Sequence, residues 1–336
     1  MSEMRQDPTT NYWVVFAAER KTRPKHMARK VLIEELPEWD ASCPFCPGNE
    51  SQTPGELLRS SASDKALPWS VRVVPNAFPA LSMAGGSTQR EEKGRFFHRM
   101  DGIGAHEVII ETPLHNTPMA LMDYQQVEQI LVAYLSRYTE LKKFSALKYI
   151  TIFKNQGWVA GTSLVHPHSQ LVATAVAAQN YRRNAEIAVN YYDDAGTCLY
   201  CDLFKEEQKV GDRVVSDTER FMVFHPYASH TPFETWIAPK KHRASFGNVP
   251  AEELFELAMV LKDTLLGIYQ ELDNPSYNYM ICTSTLDDDD DPHYHWYIKI
   301  VPRLTTIAGF EMGSGMYINS VFPEETAKLM RKPYHA

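Results

Sequence analysis

The stretch GTSLVHPHSQ, residues 161–170, sets two histidines around a proline, with Ser163 before them and Gln170 two residues beyond His168. It reads in three ways: an ordinary polar strand end, two ligands for one metal, or one ligand and one catalyst. The reading carried forward is the third, with the two imidazoles on opposite sides of the chain and Pro167 stiffening the path between them. The rest of the chain must supply the partners that reading needs.

The chain has 336 residues, 44% of them hydrophobic and 23% charged, a composition that forms a folded core of one large or two ordinary domains. A formal net charge of -8 argues against a general nucleic-acid coat, though a local arginine pocket can still receive a phosphate. The opening MSEMRQDPTTNYWVV has no apolar signal core, and no apolar run approaches the ~20 residues of a membrane helix, so the expected location is cytoplasmic, away from membranes. Four of the five cysteines form two C-x-x-C pairs, Cys43 with Cys46 and Cys198 with Cys201, which in a reducing compartment suggest metal or redox chemistry.

Working outward from the opening motif, ALKYITIFKNQG before it reads as a strand, and MDYQQVEQILVAYLSRYTELKK carries apolar residues at helical spacing. WVVFAA, WSVRVVPN and GAHEVIIETP read as earlier strands, and LVATAVAAQNYRRNAEIAVNYY as a second long helix. The second half repeats the order: RFMVFHP and FETWIAP as strands, PAEELFELAMVLKDTLLGIYQEL as a helix with Pro250 near its start, then SYNYMICTS and HYHWYIKIVP. His115 to His166 is 51 residues, as is His242 to His293, so HPH at 166–168 is matched with HYH at 293–295. The chain therefore divides into an N-terminal catalytic domain, 1–190, and a C-terminal domain, 191–336.

The duplication suggests one ligand set per half: Cys43, Cys46, His115 and His166, then Cys198, Cys201, His242 and His293. Two thiolates and two imidazoles close a tetrahedral zinc with no place for water, so two structural Zn2+ ions per chain are expected. Buried cysteines without metal, or a redox pair, are the bland alternatives. With His166 on the metal, His168 is left to attack phosphorus, provided that its other nitrogen is held by an acceptor. Gln170 returns to the side of His168 and can donate to a phosphate oxygen, with Ser163 as a further donor.

DPTTNYWVVFAAERKTRP, CPFC, VVPNAFPAL, IFKNQGWVAGTSLVHPHSQ, HPYASHTPFETWIAPKKH and GFEM resemble the galactose-1-phosphate uridylyltransferase family of the histidine triad superfamily, over about residues 6 to 330. The resemblance implies a duplicated histidine-triad α+β fold with antiparallel sheets and packed helices, usually dimeric. It makes His168 the nucleophile and Gln170 its phosphate-binding partner. Arg20 and Arg23 match phosphate contacts, Asn76 and Phe78 the nucleoside pocket, and Asn155 and Ser163 polar contacts. The first zinc again falls on Cys43, Cys46, His115 and His166.

Two departures stand out. Asn184 replaces a second-site glutamate, and CLYC instead resembles a two-zinc pattern of plant relatives, completed by His242 and His293; His295 is then read as a remnant of the duplicated catalytic position. In the sugar segment TTIAGFEMGSGMY, Glu311 is kept, but Phe310 replaces tyrosine, Thr305 stands at the lysine position and Tyr317 at the glutamine position. The leading expectation is a UDP-glucose:hexose-1-phosphate uridylyltransferase acting on UDP-glucose and hexose 1-phosphates, a homodimer in which the Glu311 segment reaches the neighbouring pocket. An ADP-sugar phosphorylase is the alternative enzyme, and a zinc-supported nucleotide-binding protein the alternative class.

Overall fold

The computed structural model describes residues 2–22, 36–62 and 66–331. In chain order these carry β1 (Glu3–Gln6), β2 (Trp13–Phe16), β3 (Leu58–Arg59), β4 (Arg72–Pro75), β5 (Glu91–Lys93), β6 (Phe97–Arg99), β7 (Gly104–Ile110), α1 (Tyr124–Lys142), β8 (Tyr149–Gln156), β9 (His168–Thr174) and α2 (Gln179–Ala195). Then follow α3 (Leu199–Val210), β10 (Val214–Asp217), β11 (Phe221–Phe224), β12 (Thr235–Pro239), α4 (Leu254–Glu271), β13 (Tyr277–Cys282), β14 (Tyr297–Pro302), α5 (Gly309–Ser314), β15 (Tyr317–Asn319) and α6 (Pro323–Met330).

The fold is the expected duplicated α+β arrangement, but the two halves share one ten-stranded sheet, in the order β10-β11-β12-β14-β13-β8-β9-β7-β4-β3. All its pairings are antiparallel. The halves meet where β13 pairs with β8, Asn278 opposite Asn155. The boundary expected at 190/191 falls inside α2, and the stretch expected to be one helix from Leu171 is β9 followed by α2. Its β-branched start, LVAT, alternates as strand β9, with Leu171 and Ala173 fully buried.

One face of the sheet is covered by α1 and α4, whose apolar residues (Ile130, Leu131, Leu257, Leu261) form one core with Leu171, Ala173, Tyr279 and Ile298. Asp123 starts α1 by accepting from Gln126 N at 2.6 Å, a side-chain cap for an otherwise unpaired donor. Pro250 lies before a 3-10 turn, Ala251–Glu253, that leads into α4. With this face committed to helix packing, strand alternation sends His168 and Gln170 to the other face, where the chemistry is built.

Gly157, after β8, has φ +81° and ψ 156°, a region essentially restricted to glycine, and a Cβ there would lie 2.2 Å from Ser276 Oγ just before β13. The seam between the halves is thus closed around a missing side chain. Gly157→Ala is expected to lower stability by roughly 1–3 kcal/mol, read as a lower urea midpoint; an unchanged midpoint would contradict this account of the seam.

Candidate active site

The Cys43–Cys46 turn is tied by Cys46 N donating to Cys43 O, and by Asn49 Nδ2, which reaches the carbonyls of Asp40, Ala41 and Cys43. His115 arrives beyond β7, its own N–H on Glu38 O. His166 arrives just before β9, its Nε2 donating to Thr112 O at 2.8 Å, which leaves Nδ1 to face the sulfurs. Nδ1 of His166 is 3.7 Å from Cys43 Sγ and 3.6 Å from Cys46 Sγ, and Nδ1 of His115 is 3.5 Å from Cys46 Sγ. Zn–S of about 2.3 Å and Zn–N of about 2.0–2.1 Å at a tetrahedral angle require S···N of about 3.5 Å. All four residues are buried, and burial pushes the Cys46 thiol up to about 11 and pulls His166 down to about 3. A divalent cation would reverse the cost of the thiolate form.

His166 and His168 are two residues apart, a spacing that would put both on one face of a strand. They separate because β9 begins only at His168; His166 lies outside the strand, so the Pro167 link and not alternation divides them. His168 Nδ1 donates to His166 O at 2.8 Å, so Nε2 carries the lone pair. Burial pulls the His168 pKa down to about 4, keeping the ring neutral near pH 7. The ring lines a cavity of about 1110 Å³ together with Asn155, Arg20, Arg303 and Glu311. The site thus presents a neutral, oriented imidazole to a space large enough for a nucleotide sugar.

The second cluster brings together Cys198, Cys201 and His242, with Cys201 Sγ 3.3 Å from His242 Nδ1. The expected fourth ligand, His293, is not among these three: its Nδ1 sits 2.5 Å from Asp291 Oδ1, and its ring meets Tyr192 edge-to-face. His295, whose donor atoms like those of His293 lie outside this converging trio, stands beside His242, ring centroids 5.3 Å apart at 90°, as His166 stands beside His115 at 5.3 Å and 79°. His295 is fully buried and its Nε2 has no hydrogen-bond partner. The match of HPH with HYH is therefore shifted by two: β9 starts two residues after His166, and β14 two residues after His295. Tyr297, first in β14, stacks on Trp236, and the second half holds no counterpart of the nucleophile at that strand start.

The other expected residues divide into two groups. Asn155, whose Oδ1 accepts from Asn278 at 2.7 Å, lines the cavity with Arg20 and Glu311. Arg23 lies outside the described residues. Ser163 is exposed, and its neighbour Thr162 lines the cavity instead. Asn76, Phe78 and Gln170 lie off the cavity wall; the Phe78 ring is 91% exposed. Glu311 caps its own short helix through Ala308 N and lines the same cavity as His168 within one chain. Tyr317 stacks on His230 at 4.2 Å in the β2–β15 corner and does not line the cavity.

Profiles of two domains cover the chain: galactose-1-phosphate uridyl transferase, N-terminal domain, over residues 1–178, and its C-terminal domain over 184–332. An ADP-glucose phosphorylase of Arabidopsis thaliana is 36% identical over 332 residues, 98% of this chain and 92% of the relative. A galactose-1-phosphate uridylyltransferase of Thermotoga maritima is 27% identical, covering 99% and 98%. Among solved structures, the Arabidopsis thaliana ADP-glucose phosphorylase with bound ADP-glucose superposes with a TM-score of 0.85 at 34% identity over 100% of both chains. A uridylyltransferase gives 0.75 at 25%, over 98% and 97%.

Two features of the site escaped the sequence reading. His106, in β7, has Nε2 2.8 Å from Gln170 Oε1 and 3.1 Å from Asn76 Nδ2. Beneath His168, Lys154 donates to Glu111 Oε2 at 2.6 Å and to the carbonyl of His168 at 3.2 Å, both side chains essentially without solvent. The signal for this pair was a charge in each of two otherwise apolar strand ends, VIIETP and ITIFKNQ. Lys154→Met strands the Glu111 carboxylate in the interior and is expected to cost about 3–5 kcal/mol, measured by urea unfolding. Adding Glu111→Gln should recover part of that loss; a double variant no more stable than the single one would deny the ion-pair account.

Proposed function

The chain belongs to the galactose-1-phosphate uridyl transferase family and is a nucleotidyltransferase of sugar phosphates, and from that premise we propose that it is an ADP-sugar phosphorylase working through a nucleotidyl-histidine on His168. The observation that carries the mechanism is the His168 Nδ1 bond to His166 O, which commits Nε2 to the cavity as a nucleophile. Preference for the phosphorylase over the expected uridylyltransferase rests on the 36% identity with the Arabidopsis thaliana enzyme. It is further supported by the departures in the sugar segment: Thr305 brings no charge to the cavity, and Tyr317 is spent on His230.

In the first step Nε2 bonds to the α-phosphorus, the bond to the bridging oxygen breaks, and the sugar 1-phosphate leaves with that electron pair. The ring is then a cation whose remaining proton is held by His166 O. In the second step an oxygen of inorganic phosphate bonds to phosphorus, the P–N bond breaks, and the electron pair returns to Nε2, releasing ADP. One phosphoanhydride is exchanged for another, so the residues contribute mainly orientation and charge stabilisation. A homodimer remains part of the proposal, supported by the exposed apolar side chains Ile307, Phe310 and Met312 around Glu311.

We further propose zinc for both cysteine–histidine clusters, since two thiolates with two imidazoles suit it, with His295 and not His293 as fourth ligand of the second. Bound zinc would lock the ends of distant elements together and supply folding free energy. Metal analysis should give two zinc atoms per chain. His295→Ala and Cys198→Ser should each lose one, and His293→Ala neither; retention of both ions by His295→Ala would reject the assignment.

The catalytic reading predicts that α-phosphorus-labelled ADP-glucose, given without acceptor, labels the protein and releases glucose 1-phosphate, and that inorganic phosphate discharges the acid-labile adduct as ADP. His168→Gly should take no label while keeping its zinc. Labelling from UDP-glucose alone, with discharge by sugar 1-phosphates, would restore uridylyl transfer; rapid turnover by folded His168→Gly would remove the nucleophile altogether.

A further inference from the structure

We infer that His106 is a positioning residue that commits the amide of Gln170 to donate toward the ligand; the inference rests on the nucleotidyl-histidine reading above. β7 and β9 are paired so that Glu107 faces Leu171 and Val108 faces Gln170, which places His106 on the same sheet face as Gln170, one diagonal step away. The tautomer of His106 follows from its neighbours. Ala80 N–H donates to Nδ1 at 3.3 Å, so Nδ1 holds the lone pair and the proton sits on Nε2. That proton is given to Gln170 Oε1 at 2.8 Å. With its oxygen accepting, Gln170 turns its NH2 away from His106.

Asn76 is fixed by a separate bond. Its Oδ1 accepts from Phe78 N at 2.8 Å, which turns Nδ2 toward the ring, 3.1 Å from His106 Nε2. Nε2 is already a donor and offers Asn76 no lone pair, so the protons of Asn76 are also unspent. Two amides with engaged oxygens and unspent N–H groups thus flank one imidazole. They form a pair of neutral donors for acceptor atoms of the nucleotide. Gln170, two residues from His168 on the same strand face, serves the nonbridging oxygen of the transferring phosphoryl group. Asn76, farther from His168 and beside the exposed Phe78 ring, serves the nucleoside.

A donor at His106 Nε2 is required for this arrangement, and an apolar ring of similar size leaves Gln170 able to rotate its oxygen toward the phosphoryl group, where it repels. The amide nitrogen of a glutamine at position 106 reaches about where Nε2 lies. The experiment compares His106→Phe with His106→Gln in single-turnover labelling by α-phosphorus-labelled ADP-glucose, in wild-type and Gln170→Ala backgrounds, with zinc content and unfolding midpoint measured for each. His106→Phe should slow adduct formation roughly 10- to 100-fold with zinc retained, and His106→Gln should recover most of that rate. In the Gln170→Ala background His106→Phe should add little, because the group it positions is gone. Multiplying rate losses, or His106→Gln as slow as His106→Phe, would overturn the inference. A wild-type protein that takes no label from any nucleotide sugar would instead take down the nucleotidyl-histidine reading and this inference with it.

Discussion

The hydrogen bond from His168 Nδ1 to the carbonyl of His166 joins the two parts of the molecule that matter most. It selects the tautomer that leaves Nε2 free, and its acceptor belongs to a residue whose own ring is clamped between Thr112 O and two thiols. A mobile acceptor would let the imidazole swing or take the wrong proton. Here the acceptor is fixed three ways: by the cysteine cluster, by Pro167 and by the adjoining strand β9. Its neighbour carbonyl, that of His168 itself, is held by Lys154, so successive peptide groups across the motif are pinned. The rate of a two-step transfer depends on keeping the reacting nitrogen in line with phosphorus, where small misplacements are costly.

The common sheet explains how the duplicated halves diverged. The first half spends its strand start on His168; the second places Tyr297 there and stacks it against Trp236 within a cluster rich in tyrosine. That end of the sheet is hydrophobic support in the second half. The second half keeps a cysteine–histidine cluster, and Cys198 Sγ, at the start of α3, donates to the carbonyl of His293 at 3.3 Å on the approach to β14. Its contribution to the site is the β13–β14 edge, which supplies Ser276 and Arg303 to the cavity wall beside Gly157. The cavity is therefore a product of both repeats, and neither half alone would enclose it.

Much of this was legible in the sequence. The order of strands, the helices α1 and α4 and the gathering of the first cysteine–histidine quartet follow from periodicity, ligand chemistry and family resemblance; the parting of His166 from His168 follows from where β9 begins, which their spacing alone does not tell. What was not legible depended on register. Counting 51 residues from His242 reaches His293, but His166 lies two residues before β9, and the residue two before β14 is His295. LVAT was read into a helix because a short apolar run does not reveal its period. His106 was hidden in GAHEVII as one polar residue of a strand; only the pairing of β7 with β9 shows that it meets Gln170. Glu111 and Lys154 stand as charges in apolar strand ends, a signal that the sequence analysis does not use, and their mutual distance is a property of the folded sheet.

In the proposed reaction the sheet would also separate the two ends of the nucleotide sugar. β9 lies between β7 and β8. On the β7 side stand His106, Asn76 and the exposed Phe78, suited to flat, hydrogen-bonding groups. On the β8 side, across β13 and β14, opens the cavity with Asn155, Arg303 and Glu311, suited to hydroxyls and phosphate. Arg303 lies beyond β14, three strand spacings, or roughly 14 Å, from β9, a distance that an arginine side chain and a hexose phosphate together can bridge. In the proposed reaction the departing sugar phosphate and the entering phosphate must use the same side of phosphorus in turn, because Nε2 holds the other. A divided site serves that order: the nucleoside stays on the β7 side through both steps, while the cavity empties and refills. Donor base and acceptor are then recognised by different strands, and the base can change between relatives without disturbing the nucleophile.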